Sequence, residues 1–222
     1  MNLFDEILKE DYLCFDIGAN KGRFVKMLLE HNVNKIVAVE PQILAFTKLY
    51  KRYYKNEKVV LINKGLDEKE CKKIIKICEA VNTISTFSNE FITETSKERF
   101  KKFTWNKREK VTMTTLDNLI KEYGMPNFCK IDVEGFEKYV LKGLTKKISL
   151  LSIEFTPELR NNTYECMDYM LKISKKYLFN YSAQNSKKFQ FETWLKFNDM
   201  KEFLDKITDR KRTYGDLYIR YE

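Results

Sequence analysis

Three prolines, one histidine, no Cys-x-x-Cys pair and no long apolar run occur in the 222 residues, and each absence closes off a class of protein. No Pro/Gly/Ser-rich linker, internal repeat or low-complexity tract interrupts the chain, so nothing marks a boundary and residues 1–222 read as a single domain. That length suits one well-packed core, and two halves would each be small for their own. No segment approaches the roughly 18 uninterrupted apolar residues of a membrane span. The N-terminus, MNLFDEILKEDYL, is acidic and lacks an apolar core ahead of a small-residue cleavage site, which predicts no secretory signal and a cytoplasmic location. Cys14, Cys71, Cys78, Cys129 and Cys166 form an odd set without zinc-site spacing and read as reduced, mostly buried thiols.

What is abundant is positive charge, +9 from 41 Lys and Arg against 32 Asp and Glu. Much of it is dispersed among acids, as in KNEK and DEKECKK, in the manner of a solvated face. KLYKRYYK at 48–55 and KERFKKFTWNKREK at 97–110 interleave cations with aromatics and keep an anionic acceptor, RNA included, open.

Apolar, β-branched runs recur at 13–17, 35–40, 58–63, 128–132 and 150–155, separated in several places by segments of helical period. Phe24, Met27 and Leu28 repeat behind Gly22; Phe136, Tyr139, Val140 and Leu144 repeat behind Gly135. Near-continuous apolar strands joined through helices imply a sheet covered on both faces and parallel at its centre, an α/β fold. Pro41 and Pro157 fall just after expected strands and Pro126 just before another, where a missing N–H costs no ladder bond. Past residue 177 the pattern changes: LFNYSA, KFQFETWL and TYGDLYIRYE predict antiparallel strands at a sheet edge, with one short helix at NDMKEFLDKI. KKIIKICE and KVTMTT predict further strands, STFSNEF a loop, and a helix starts near Asp117.

In such a sheet, ligands sit outside the carboxyl ends of the strands near the point where strand order reverses. The first strand runs into Asp16-Ile17-Gly18-Ala19-Asn20-Lys21-Gly22, whose glycines let backbone approach a ligand. Glu40 ends the second strand about 20 residues past Gly18, the spacing of an acid that binds a ribose diol. A dinucleotide GxGxxG is incomplete, because Asn20 and Arg23 stand where glycines are needed beside a pyrophosphate, and no GK[ST] completes a P-loop. A ligand with ribose, adenine and a charged amino-acid end but no phosphate fits: S-adenosyl-L-methionine.

FDIGANKGRF, VAVEP, TTLDNL, KIDVEGFEKYVLKGL and LSIEFTPE, in that order, resemble the FkbM family of S-adenosylmethionine-dependent methyltransferases, from about Cys14 to about Phe179, and the late YGD resembles the family's closing strand. The resemblance implies the class I methyltransferase (Rossmann-like) fold, with a mixed, mostly parallel seven-stranded sheet flanked by helices. It implies a cofactor site over the first two strands: Asp16 and Gly18, with Ala19, Asn20 and Gly22 of the same loop, at the methionine end, Glu40 and Pro41 at the ribose, Gly65 and Leu66 of the NKGLDEKE turn at the adenine. Asp132, ending the fourth strand, then lies near the sulfonium.

Methyl transfer chiefly requires an aligned acceptor and the handling of one proton. His31 reads as a C-terminal cap of the first helix, so the proton acceptor is a carboxylate or a lysine, with Asp132 and Glu134 the leading candidates. Glu134, expected to begin the next helix, has an alternative as a charge favoured by that helix's N-terminus; Glu154 has one as a loop cap, and Gly22 as a close-packing residue. Asp132 with Glu154 is also a carboxylate pair of the kind that binds a divalent metal, without an identifiable third ligand. The expected function is O-methylation of a hydroxyl on a sugar, glycan or natural-product acceptor. The alternatives are an RNA methyltransferase, which the absence of [DN]PP[YFW] after the fourth strand disfavours, and a non-catalytic Rossmann-like nucleotide-binding protein. STFSNEF resembles a family segment on the acceptor side.

Overall fold

The computed structural model describes residues 2–184, 186, 188–209 and 213–222. Strands β1 (Leu13–Ile17), β2 (Lys35–Val39), β3 (Val59–Ile62), β7 (Phe128–Ile131), β8 (Leu150–Phe155), β9 (Tyr177–Ala183) and β10 (Gly215–Tyr221) form one seven-stranded sheet in the order β3-β2-β1-β7-β8-β10-β9. β3 through β8 run parallel, and β10 pairs antiparallel with both β8 and β9. A second sheet, β4 (Gly65–Leu66), β6 (Lys107–Thr114) and β5 (Cys71–Ile77), packs beside it. This is the α/β class I methyltransferase architecture, and its strand order reverses between β1 and β7.

Alternation along the strands explains the two layers. Phe15, Ile17, Val37, Val39, Ile131 and Ile153 face one core with α5 (Leu116–Tyr123), α6 (Glu137–Lys142), α7 (Arg160–Ile173) and α8 (Phe197–Asp205). Cys14, Ile36, Ala38 and Phe128 face the other, with α1 (Leu3–Ile7), α2 (Arg23–Glu30) and α3 (Ile43–Tyr53). Both faces are covered, as parallel strands require. The helix behind Gly22 ends at His31, whose Nδ1–H donates to the Met27 carbonyl at 2.9 Å while Nε2 lies 3.2 Å from Asp5. Among the described residues no helix is long and apolar enough to cross a membrane.

Four expectations change. KFQFETWL forms no strand beyond an isolated bridge of Leu195 to Phe179. Its alternating aromatics pack instead of pairing: Phe189 lies 5.1 Å from both Trp194 and Tyr218, and Phe191 lies 4.9 Å from Phe203. STFSNEF is half loop and half helix, because Ser88 caps α4 (Asn89–Thr95) by accepting the Phe91 N–H at 3.0 Å. NKGLDEKE contains strand β4, whose Gly65 and Leu66 pair with Met113 and Thr114. Glu134 lies in a left-handed turn three residues ahead of α6, since two successive positive φ angles, +55° at Glu134 and +83° at Gly135, cannot belong to a right-handed helix.

Segment 82–105 is held over one end of the sheet by a small core of Cys78, Ile84, Phe91, Trp105 and Leu159. Arg99 joins it to the chain beyond β8: Nε and Nη2 donate to Glu158 at 2.8 and 3.1 Å, and Nη2 donates to the Thr213 carbonyl at 2.9 Å.

The tightest backbone approach lies at the reversal point. A Cβ on Gly18 (φ +90°) would sit 1.8 Å from the Asp132 carbonyl oxygen, whereas one on Gly124 (φ +101°) would meet only Leu13 at 3.5 Å. Gly124→Ala is expected to cost about 1–3 kcal/mol, the strain of a glycine-only backbone region alone, and Gly18→Ala about 2 kcal/mol or more beyond that. Urea melts of the two variants check this; equal losses would show that backbone strain alone, and not the close contact, matters at Gly18.

Candidate active site

The first half of the site is built from the ends of β1 and β2. Gly18 and Ala19 donate their N–H groups to the Val39 carbonyl at 2.9 and 3.0 Å, and Gly22 donates to Ala19 at 2.8 Å. Glu40, 2% exposed, accepts the Asn20 N–H on Oε2 and the Gln42 N–H on Oε1, both at 2.8 Å. Burial pushes its carboxyl up to about 7, against the pull of those two amides. Four amides of loop 18–22 and that of Gln42 are thereby committed inside the protein, which leaves side chains and the free lone pairs of Glu40 to meet a ligand.

An open cleft of about 660 Å³ lies above these strand ends. Gly18, Asn20, Glu40, Pro41, Gly65, Leu66, Asp132 and Glu134 line it, along with apolar Val39, Ile75, Phe87 and Phe136. Asp16, Ala19 and Gly22 do not. Asp16 is buried beneath the loop with Oδ2 unpartnered, and burial pushes it up to about 7. Gly22 accommodates α3: a Cβ there would meet Tyr53 at 2.4 Å, and the Tyr53 hydroxyl donates to the Gly22 carbonyl at 2.9 Å.

The second half is a cluster of carboxylates where β7 and β8 end and β10 begins. Asp132, Glu134 and Glu154 each offer an oxygen within 4.8 Å of the others. Glu154 faces Asp216 in the β8–β10 register, and Asp16 faces Lys130 in the β1–β7 register. Lys130 Nζ lies 2.5 Å from Asp132 Oδ2. Burial lowers the proton affinity of Lys130, yet Asp132, Asp216 and Asp16 more than reverse this and keep it charged. Glu134 is pushed well above the usual carboxylate range by burial, then by Glu154 and Asp132; Glu154 is pushed up by burial, then by Asp132 and Glu137. Burial also raises Asp216 to about 6. Such a group either retains protons or accommodates a cation, and Glu134 supplies the third carboxylate that the Asp132–Glu154 pair lacked for a divalent metal.

Lys130, Glu137, Asp216 and Thr86 were not singled out by sequence. Lys130 had a signal, a lysine inside the apolar run FCKI; Glu137, Asp216 and Thr86 lie within KIDVEGFEKYVLKGL, YGD and STFSNEF, stretches read from sequence without a role for these residues. Ser85 and Phe87 of STFSNEF do line the cleft.

A family model, the methyltransferase FkbM domain, matches residues 16–206. The chain belongs to the FkbM methyltransferase family. No curated protein sequence matches it. Among solved structures, the precorrin-6y C5,15-methyltransferase of Geobacter metallireducens aligns at a TM-score of 0.51 and 9% identity, over 99% of this chain and 86% of its own. An rRNA methylase from Streptococcus thermophilus aligns at 0.47 and 12%, over 99% and 92%. A Streptococcus mutans protein described as a candidate methyltransferase, solved in complex with SAH, aligns at 0.49 and 9%, over 99% and 94%. At these identities the likeness to the Geobacter enzyme is one of fold. The cleft of this FkbM methyltransferase lies at the strand-order reversal, where open α/β sheets bind ligands.

The buried carboxyls of this FkbM protein set its pH dependence. Asp216 at about 6 and Asp16, Glu40 and Glu137 at about 7 stand above their unfolded values, so the native state binds more protons than the unfolded state. Their contribution is present in mild acid and lost as pH rises through 6 to 7. Thermal melts between pH 5.5 and 8 are expected to show a falling Tm. Glu154→Gln, which removes one repelling charge, is expected to raise Tm at pH 8 by about 2–4 °C, on the order of 1 kcal/mol, and to flatten the fall. A Tm that climbs with pH in this range would contradict the reading.

Proposed function

We propose that the protein transfers a methyl group from S-adenosyl-L-methionine to a hydroxyl oxygen of a sugar, glycan or natural-product acceptor. The observation that carries this reading is the juxtaposition, in one cleft, of Glu40 at one end and Asp132 and Glu134 at the other, with Glu154 behind them and within 4.8 Å of both. The cleft fits the cofactor's parts. Glu40 has lone pairs left for two ribose hydroxyls, and Leu66, Ile75 and Phe87 form an apolar wall beside Gly65 for a flat adenine. Asp132, next to the closely packed Gly18, is positioned for the charged amino-acid end.

The cofactor, when bound, supplies a methyl group on a positively charged sulfur. The chain's own residues then do two things. Their negative charge favours a cationic group at the ends of β7 and β8, and a carboxylate oxygen of Glu134 or Glu154 takes the acceptor's hydroxyl proton. Raised proton affinity makes these groups better bases than an ordinary surface carboxylate. Lys130 stays protonated and offsets part of the excess negative charge.

A second reading, an RNA acceptor, draws on the outer face of the antiparallel β5–β6 pair, where Lys72, Lys76, Arg108 and Lys110 lie together and Lys76 is paired directly with Arg108. Like charges opposite one another are unfavourable without an anion.

Calorimetry is expected to show binding of S-adenosylmethionine and S-adenosylhomocysteine, weakened about tenfold or more by Glu40→Ala, the loss of roughly 1.4 kcal/mol. No binding of either to the folded protein would refute the cofactor assignment. Incubation with methyl-labelled cofactor and fractionated cell extract separates the acceptors, label in a glycan or small-molecule fraction supporting the first reading and label in RNA the second.

A further inference from the structure

We propose that Glu137 is the positioning residue of this site: its carboxylate holds the turn that presents Glu134 to Asp132 and Glu154. The proposal rests on the methyl-transfer reading of that cluster. Glu137 is 2% exposed and does not line the cleft, so it does not meet the reacting groups itself. Its Oε1 accepts the N–H groups of Val133 and Gly135 at 3.2 and 3.1 Å, the two amides that flank Glu134. Its Oε2 accepts from Asn162 Nδ2, on α7, at 3.0 Å.

Glu134 needs such a hold. Its φ of +55° is left-handed backbone, which costs a residue with a side chain about 1–2 kcal/mol and persists where surrounding contacts impose it. Thr86 grips the same peptide from the cleft side, its hydroxyl donating to the Glu134 carbonyl at 2.7 Å. Gly135 is wedged between Leu159 and Phe91, where a Cβ would meet atoms at 2.7 and 2.9 Å. The direction of the Glu134 carboxylate is therefore set by a path that starts at Asn162 and passes through Glu137. A carboxyl group suits this point because one of its oxygens can take two amide bonds while the other takes a third.

The test compares Glu137→Ala and Glu137→Gln, each alone and combined with Glu134→Ala. Amide exchange at Val133 and Gly135 is read by NMR, homocysteine-product binding by calorimetry, and kcat and KM with labelled cofactor and whichever acceptor fraction takes label. Glu137→Ala is expected to unprotect both amides, to leave S-adenosylhomocysteine affinity within about twofold, and to lower kcat about 100-fold, the scale of a 1 Å misplacement. Glu137→Gln is expected to recover kcat to within about threefold, since its Oε1 still accepts both amides and its Nε2 can donate to Asn162 Oδ1, a buried atom otherwise without a partner. In the Glu134→Ala background the further loss from Glu137→Ala is expected to be below about threefold. Asn162→Ala, which withdraws the outer bond alone, gives a milder step, about tenfold in kcat, should Glu137→Ala not fold.

Equal losses in both backgrounds would overturn the proposal, as would unchanged amide exchange in Glu137→Ala. Full methyl transfer by Glu134→Ala would instead overturn the functional reading on which it rests, and the exchange result would still report whether Glu137 holds the turn.

Discussion

Desolvated negative charge, gathered where the central strands end, is the constraint that shapes the site. Asp16, Asp132, Glu134, Glu154 and Asp216 converge around Lys130; Asp16 is fully buried and the other four are half-buried. Five carboxylates cannot all ionise beside one ammonium group in a low-dielectric setting, because burying an unpaired charge costs several kcal/mol. The structure answers in three ways: Lys130 is held protonated between Asp132, Asp216 and Asp16, the remaining carboxyls keep protons at pH values where free ones would not, and the cleft side stays open to water. A fold built for stability alone would place apolar side chains at these strand ends. Arrangements that cost stability in this way cluster at places of binding or chemistry in proteins at large, which is the ground on which the proposed site rests.

The first half of the site was legible because its determinants lie close together in sequence. Loop 18–22 and Glu40 belong to adjacent parallel strands, and their contacts run through backbone groups that a strand-turn-helix pattern already implies. Gly18 and Glu40 could therefore be placed from spacing. Asp16 shows the limit: alternation puts its side chain on the face it shares with Lys130, under the loop, and a strand-end motif alone does not report how deep a residue lies. Glu134 shows another. The sequence VEGFE reads as a helix start, and what turns it left-handed is Glu137 at its own end together with Thr86 and Leu159, which come from two other places in the chain. A buried carboxylate that accepts three hydrogen bonds and a solvated one in a helical first turn look the same as a letter.

Misreading KFQFETWL as a strand has the same origin. Alternating aromatics satisfy the period of a half-buried strand, but what buries them here is contact with Tyr218 on one side and Phe203 on the other. Period 2 records which side chains are buried and is silent on whether the backbone finds a partner strand.

The two halves of the cleft are assembled by different means, and this bears on how the protein divides constancy from specificity. The Glu40 half is set by backbone hydrogen bonds of the parallel sheet, an architecture shared with the Geobacter enzyme at 9% identity. The opposite half is assembled from segments 82–105, 132–137, 154–163 and 213–216, far apart in the chain and tied by side chains: the Arg99 bond pair to Glu158, the Thr86 hydroxyl on the Glu134 carbonyl at 2.7 Å, Glu137 on Asn162. Side-chain ties of this kind can be exchanged without disturbing the sheet ladder. In the methyl-transfer reading, the half built from local backbone geometry serves the cofactor. The half built from long-range side-chain contacts then carries Glu134 and Glu154 to the acceptor, while Phe87, from the first of those segments, reaches across to the adenine wall beside Gly65 and joins the two halves.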